Sequence, residues 1–301
     1  MAGKGIRKSK DIIVFDCIGY SLVALFGLIC FIPFWLVFIS SFADETSLLR
    51  DGFQLWPQAF SLDAYRWVFE NPLRIFIAYR NTIAVTVIGT FLTVFLSVMT
   101  GYVLSRPNFP WKNGFSFFFF FTTLFNGGLV PWYILCTQYL QFKNHYYAMI
   151  LPMMFSVWNM LIAKNFMRSL PYEISESAKV DGAGEMYIFL KLILPISKPL
   201  LATLALFSAL GFWNDWYNCM LFISDENKQN LQYFLQDMLG SVDALKSMVS
   251  SGDLSAVAHQ VIPEQSMKMA MTCVVIGPII FLYPIIQKNF IKGLTIGAVK
   301  G

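Results

Sequence analysis

Charge is what this chain has least of: Asp, Glu, Lys and Arg make up 13% of its 301 residues, against roughly a quarter in an ordinary soluble domain. Apolar residues reach 56%, so most of the chain cannot be presented to water. Histidine is scarcer still. His145 and His259 sit neither in an HExxH pattern nor at ligand spacing to a cysteine, which argues against the common zinc arrangements and predicts no bound metal. No GxxxxGKS/T loop is present to cradle a nucleotide phosphate, so any ATP-driven work must come from another polypeptide. A GxSxG elbow is also missing, and Gly182-Ala183-Gly184 lacks the third glycine and the preceding strand of a dinucleotide site. The chain is therefore not expected to be an enzyme. Five cysteines, Cys17, Cys30, Cys136, Cys219 and Cys273, form no CxxC pair and fall mainly in apolar runs. They read as small membrane hydrophobes rather than a disulfide framework.

What the chain does have is long apolar windows. Six lie at roughly 12–40, 82–104, 114–135, 146–162, 200–223 and 267–286, each near the ~20 residues a transmembrane helix needs. Lys and Arg orient them, because basic residues in short loops stay in the cytoplasm. Lys4, Arg7, Lys8 and Lys10 precede the first window, Arg106 and Lys112 follow the second, and Lys164, Arg168, Lys179, Lys191 and Lys198 lie between the fourth and fifth. With Lys288, Lys292 and Lys300 they predict an all-α polytopic membrane protein with six transmembrane helices and cytoplasmic N- and C-termini. The first window is too long for a signal-peptide core and lacks a small-residue cleavage site, so it is expected to stay as a helix. The organisation that follows is a cytoplasmic segment 1–11, a membrane domain 12–287 and a cytoplasmic tail 288–301. Outer loops fall near 41–81 and 224–266, and one long cytoplasmic loop near 166–198. The net charge of +4 reflects this topology and implies no nucleic-acid partner.

That cytoplasmic loop is the most informative stretch. Pro171 suits a first helical turn, with Glu173 and Glu176 near the positive end of the helix dipole. The spacing predicts a short helix from about Pro171 to Val180, a break at Asp181-Gly182, and a second helix from about Glu185 to Leu194 before Pro195. Ile174 and Ala178 share one side of the first helix. Residues alone leave two readings: insertion in a groove of a partner protein, or an amphipathic helix on the inner membrane face.

Glu176, Ser177, Ala178, Asp181, Gly182, Ala183, Leu194 and Pro195 resemble, in identity and spacing, the EAA loop of ATP-binding-cassette importer permeases, with Ser177 in place of the middle alanine. The resemblance covers almost the whole chain. It is strongest to the maltose-type carbohydrate importers, in particular the permease whose C-terminal signature is like residues 287–301; Asn126-Gly127-Gly128-Leu129-Val130-Pro131 and Trp213-Asn214-Asp215 are similar to features of oligosaccharide permeases. It implies a type I importer permease fold in a bacterial cytoplasmic membrane. It also implies a second homologous permease (a heterodimer), two ATPase subunits carrying ATP and Mg, and an extracytoplasmic sugar-binding protein. Gly297, Lys300 and Gly301 are then expected at the ATPase dimer, whereas by composition alone a glycine-containing end frays.

A substrate path calls for polar groups facing a bundle interior. Ser208, Gly211, Asp215 and Asn218 recur at helical steps in the fifth window beside Asn214, with Trp213, Trp216 and Tyr217 flanking them. Asn and Asp suit sugar hydroxyls and the aromatic rings suit sugar faces; close packing through Gly211 and an interfacial aromatic belt explain the same residues without a substrate. Asn159 in the fourth window is a weaker candidate of the same kind. Leu231, Phe234, Leu235, Met238 and Leu239 predict an amphipathic outer helix ending at Gly240, and the run Phe117–Phe121 is read as a lipid-facing or packed surface. The competing functions are an ion-driven secondary transporter, against which no internal repeat is visible, and a membrane scaffold that moves no solute.

Overall fold

The structure is a computed structural model that describes residues 10–250 and 263–280. Among them no β-strand forms, only an isolated bridge between Ala43 and Phe60. In chain order the helices are α1 (Lys10–Ser40), α2 (Glu45–Asp51), α3 (Asp63–Val68), α4 (Pro72–Ser105), α5 (Lys112–Leu124), α6 (Leu129–Ile134), α7 (Tyr147–Ile150), α8 (Val157–Ser169), α9 (Glu173–Val180), α10 (Glu185–Tyr187), α11 (Leu194–Ile196), α12 (Lys198–Trp213), α13 (Tyr217–Phe222) and α14 (Leu231–Ser250). A last helix, α15, covers 264–280.

Among the described residues two helices, α1 and α4, are each long and apolar enough to cross a membrane unbroken. The third and fourth apolar windows are bent, and another bend precedes the fifth. Lys112–Leu124 and Leu129–Tyr139 meet at 111°, Tyr147–Met153 and Val157–Ser169 at 50°, and Glu185–Ile196 and Lys198–Trp213 at 82°, so up to five spans arise if each pair counts once. The sixth window, 267–286, extends past the described residues.

The described residues divide into two compact units, 10–70 with 239–250 and 263–276, and 71–238 with 277–280. In the first, the Asp44 carboxylate caps α2 by accepting from the Thr46 and Ser47 amides. Glu45, next to it, is buried, and its carboxylate accepts from the Gln265 amide, the Ser266 amide and the Ser266 hydroxyl, all within 2.9 Å. Three donors at the start of α15 compensate a charge that burial alone would disfavour.

The second unit is organised on α4. Asn71 caps it and Pro72 occupies its first turn, so this helix begins ten residues before the apolar window does. Glycine sets how closely its neighbours approach. A Cβ at Gly89 would fall 2.5 Å from the Phe212 ring of α12, and one at Gly101 would fall 2.7 Å from Ala163 and 2.8 Å from the Lys164 amide nitrogen of α8. Small residues at such crossings let helix backbones pack where water supplies no driving force. The resulting core joins Val98, Tyr102, Ala163, Met167, Leu200 and Leu204. By contrast α5 has no buried residue; Phe117, Phe118, Phe120 and Phe121 point outward.

Helix α14 corrects one expectation. It passes through Gly240 and continues to Ser250, since an interior glycine costs a helix only about 1 kcal/mol and the apolar face through Leu231, Phe234 and Leu235 is buried. The Asn230 side chain accepts from the Tyr233 amide at 3.0 Å and begins the helix.

Candidate functional site

The loop after α8 folds as a helix, a sharp bend and a helix. Tyr172 precedes α9, which begins at Glu173, two residues after the proline expected to start it. At the other end the Gly182 amide donates to the Lys179 carbonyl at 3.0 Å and the Ala183 amide to the Ala178 carbonyl at 2.9 Å, the paired bonds of a Schellman cap. Gly182 stands at φ +81°, the left-handed region that glycine enters without penalty. Among the described residues, its chain neighbours aside, no atom lies within 4 Å of where its Cβ would be, so backbone conformation, not crowding, requires glycine there.

Helix α9 is anchored by one face and leaves the other open. Ala178 is buried, 8% exposed, in the same core as α4 and α8, with Ala183 packed against that core. Ser175 is also buried and accepts from the Arg106 guanidinium at 2.9 Å. Ile174, expected beside Ala178, is half-buried; Glu176, Ser177, Asp181 and Gly182 are exposed, and Val180 is 88% exposed. Leu194 is half-buried and Pro195 exposed, and the residues between Tyr187 and Leu194 form a π-helical turn, Ile188–Ile193.

A clasp that spacing did not reveal closes the bend. The Lys179 ammonium pairs with the Glu185 carboxylate across Gly182, and the Tyr102 hydroxyl donates to the other carboxylate oxygen at 3.0 Å. The Lys179 hydrogen bond holds the Glu185 carboxyl below its ordinary value, against the opposing effect of burial, and the same bond raises Lys179.

The residues expected along a substrate path separate into three groups. Asn159 and Ser208 are buried and bonded to each other at 3.1 Å between α8 and α12, which is interhelical packing. Gly211 lies 3.5 Å, measured from its would-be Cβ, from Met153. The predicted stripe does not continue on one helix face, because α12 stops at Trp213 and α13 begins at Tyr217. In the intervening turn Asp215 is buried, and its carboxylate accepts from the Asn218 amide and side chain at 3.2 and 3.1 Å; the Asn230 amide group donates to the Asp215 carbonyl. Asp215 and Asn218 thus hold a helix junction. Trp213 is buried, whereas Asn214, Trp216 and Tyr217 remain exposed. Tyr217 opens on a cavity of about 860 Å³ lined also by Thr122, Asn126, Gly128, Trp132 and Pro152. There Asn126 accepts from the Gly128 amide at 2.8 Å, and Gly128 at φ +89° starts α6. Gly297, Lys300 and Gly301 lie outside the described residues.

Residues 64–296 match the family described as binding-protein-dependent transport system inner membrane component. The chain belongs to this family. Among curated relatives it is 37% identical over 289 residues to the polygalacturonan/rhamnogalacturonan transport system permease protein YtcP of Bacillus subtilis, covering 96% of this chain and 99% of that one. Protein LplC of the same organism is 37% identical over 290 residues, covering 96% and 95%. The arabinooligosaccharides permease AraQ of Halalkalibacterium halodurans is 27% identical over 292 residues, covering 94% and 95%. The fold is similar to that in the crystal structure of a bacterial ABC transporter involved in the import of the acidic polysaccharide alginate, with TM-score 0.76, 24% identity and coverage of 95% and 100%. The chain is thus an ABC-transporter permease of the inner membrane without an ATPase site of its own; hydrolysis belongs to separate subunits.

Proposed function

We propose that this permease is one of two homologous permeases in an ATP-driven importer of oligosaccharide, fed by an extracytoplasmic sugar-binding protein and coupled to two ATPase subunits that carry ATP and Mg. The observation that carries the reading is the bend at Gly182. It presents Glu176, Ser177, Val180 and Asp181 outward from a helix whose Ala178 is fixed in the core, so a push on the exposed face reaches α4 and α8. In this topology the chain crosses the membrane six times with both termini in the cytoplasm, and the tail around Gly297, Lys300 and Gly301 touches the ATPase pair.

The carbohydrate class rests on the polysaccharide and oligosaccharide substrates named for the relatives and on the cavity beside α6. Trp132 and Tyr217 offer ring faces to a pyranose, and Asn126 and Thr122 offer hydrogen-bonding groups for hydroxyls. ATP drives uptake only through differential affinity for two conformations, and the Gly182 element is the part placed to sense it. Co-purification of the tagged chain in mild detergent tests the assembly. An ATPase and a second permease of similar size are the expected companions; neither appearing with the folded chain would overturn it.

A further inference from the structure

One side chain at the end of α4 reaches both limbs of the Gly182 bend, and the transport reading gives it no task. Arg106 closes α4, its amide donating to the Val103 carbonyl at 3.2 Å. On one side its guanidinium donates to the Ser175 hydroxyl of α9 at 2.9 Å and lies 5.7 Å from the ring of Tyr172, the residue before that helix. On another it lies 3.9 Å over the ring of Tyr102, one turn back on α4. The Tyr102 hydroxyl donates at 3.0 Å to Glu185, the first residue of α10 on the far side of the bend. The Tyr102 ring also packs 5.0 Å from that of Phe189. Arg106 is thus one bond from the limb before Gly182 and one ring from the limb after it.

Packing alone does not call for arginine at this place. Ser175 and Tyr102 are buried, and the Arg106 Nε and second terminal nitrogen are shut off from solvent with no hydrogen-bond partner among the described residues. Stranded donors lower stability, and an apolar side chain of similar length would fill the same space without them. What an apolar chain cannot do is make a directed bond to Ser175 while lying flat on an aromatic face, which a planar guanidinium does. Local rules broken at the expense of stability are expected where a residue serves function.

We infer, on the coupling role proposed for α9, that Arg106 is a positioning residue for transport. It fixes both limbs of the coupling element against the end of α4, so that displacement of α9 moves α4 instead of being absorbed in the bend. The test uses the complete transporter in proteoliposomes with two variants. Arg106→Met removes every donor and keeps an unbranched apolar chain; Ser175→Ala removes only the acceptor and keeps the experiment readable if Arg106→Met fails to insert. Sugar taken up per ATP hydrolysed should fall about fivefold in Arg106→Met and about twofold in Ser175→Ala. The melting temperature of the purified transporter should hold or rise in Arg106→Met, since two stranded donors are gone. The double variant should fall no further than Arg106→Met alone, because both changes break one link. A lower melting temperature with a wild-type ratio per folded transporter would show a packing role only and overturn the inference, as would falls that add. Gly182→Val in the same assay separates the two levels. If it uncouples while neither Arg106→Met nor Ser175→Ala does, the positioning role alone fails; if all three keep the wild-type ratio, the coupling role fails and the positioning role with it.

Discussion

Lys179 and Glu185 show how a single pair can set the state of a loop. Glu185 has a depressed carboxyl, so its contribution is complete above the ordinary value of 4.5 and is lost as pH falls through the lower folded value. Lys179 has a raised ammonium, so its share is complete below 10.5 and is lost as pH rises through the higher folded value. The clasp is therefore intact across the physiological range and opens only toward the two extremes. Glu185→Gln should speed hydrogen exchange at the Gly182 and Ala183 amides at pH 7, and adding Lys179→Gln should change it little further, since each substitution already breaks the same pair. Additive effects would show that the two side chains act separately. Sequence spacing made Gly182 legible because a Schellman cap is local, six residues long and dependent on one left-handed position. It did not disclose Arg106 beneath Ser175, or Tyr102 against Glu185, because those partners are separated by 69 and 83 residues and no periodicity links them.

Helix packing on α4 places the strictest limits on substitution. Gly101→Val would drive a side chain into the backbone of α8 at Lys164, which cannot turn aside. The atoms nearest a Cβ at Gly89 are those of the Phe212 ring, so Gly89→Ala alone should cost about 1–3 kcal/mol of overpacking and Phe212→Leu should recover much of it. The check is detergent-resistant folded yield and thermal stability of the single and double variants; no recovery in the double variant would place the strain elsewhere. The element scale is also where hydropathy reading fell short. A window averages apolar character and is blind to backbone direction, so the 111° turn after Leu124 and the interruption at Asn214–Trp216 left no mark on it. Those interruptions decide what the polar residues do. Asp215, aligned with Ser208 if the helix were continuous, instead ties the start of α13 to Asn218 and Asn230. Asp215→Asn should accordingly reduce folded yield more than it alters substrate preference, whereas Tyr217→Ala and Trp132→Ala should raise the half-saturating sugar concentration several-fold with little loss of yield. Transport assays on reconstituted transporter separate the two outcomes.

For the whole molecule, the proposed function requires the exposed face of α9 and the bend behind it to carry ATPase motion into the permease. Gly182 is the position to change, because among the described residues nothing beyond its chain neighbours lies within 4 Å of where its Cβ would be, while its φ of +81° resists other residues. Asn tolerates the left-handed region and valine does not, so the two replacements separate the backbone requirement from the mere presence of a side chain. The decisive measurement is the ratio of sugar taken up to ATP hydrolysed in proteoliposomes holding the complete transporter, for wild type, Gly182→Asn and Gly182→Val at matched insertion. A ratio near wild type is expected for Gly182→Asn, and at least a tenfold fall for Gly182→Val with hydrolysis continuing. A Gly182→Val transporter that takes up sugar at the wild-type ratio would contradict the proposed function.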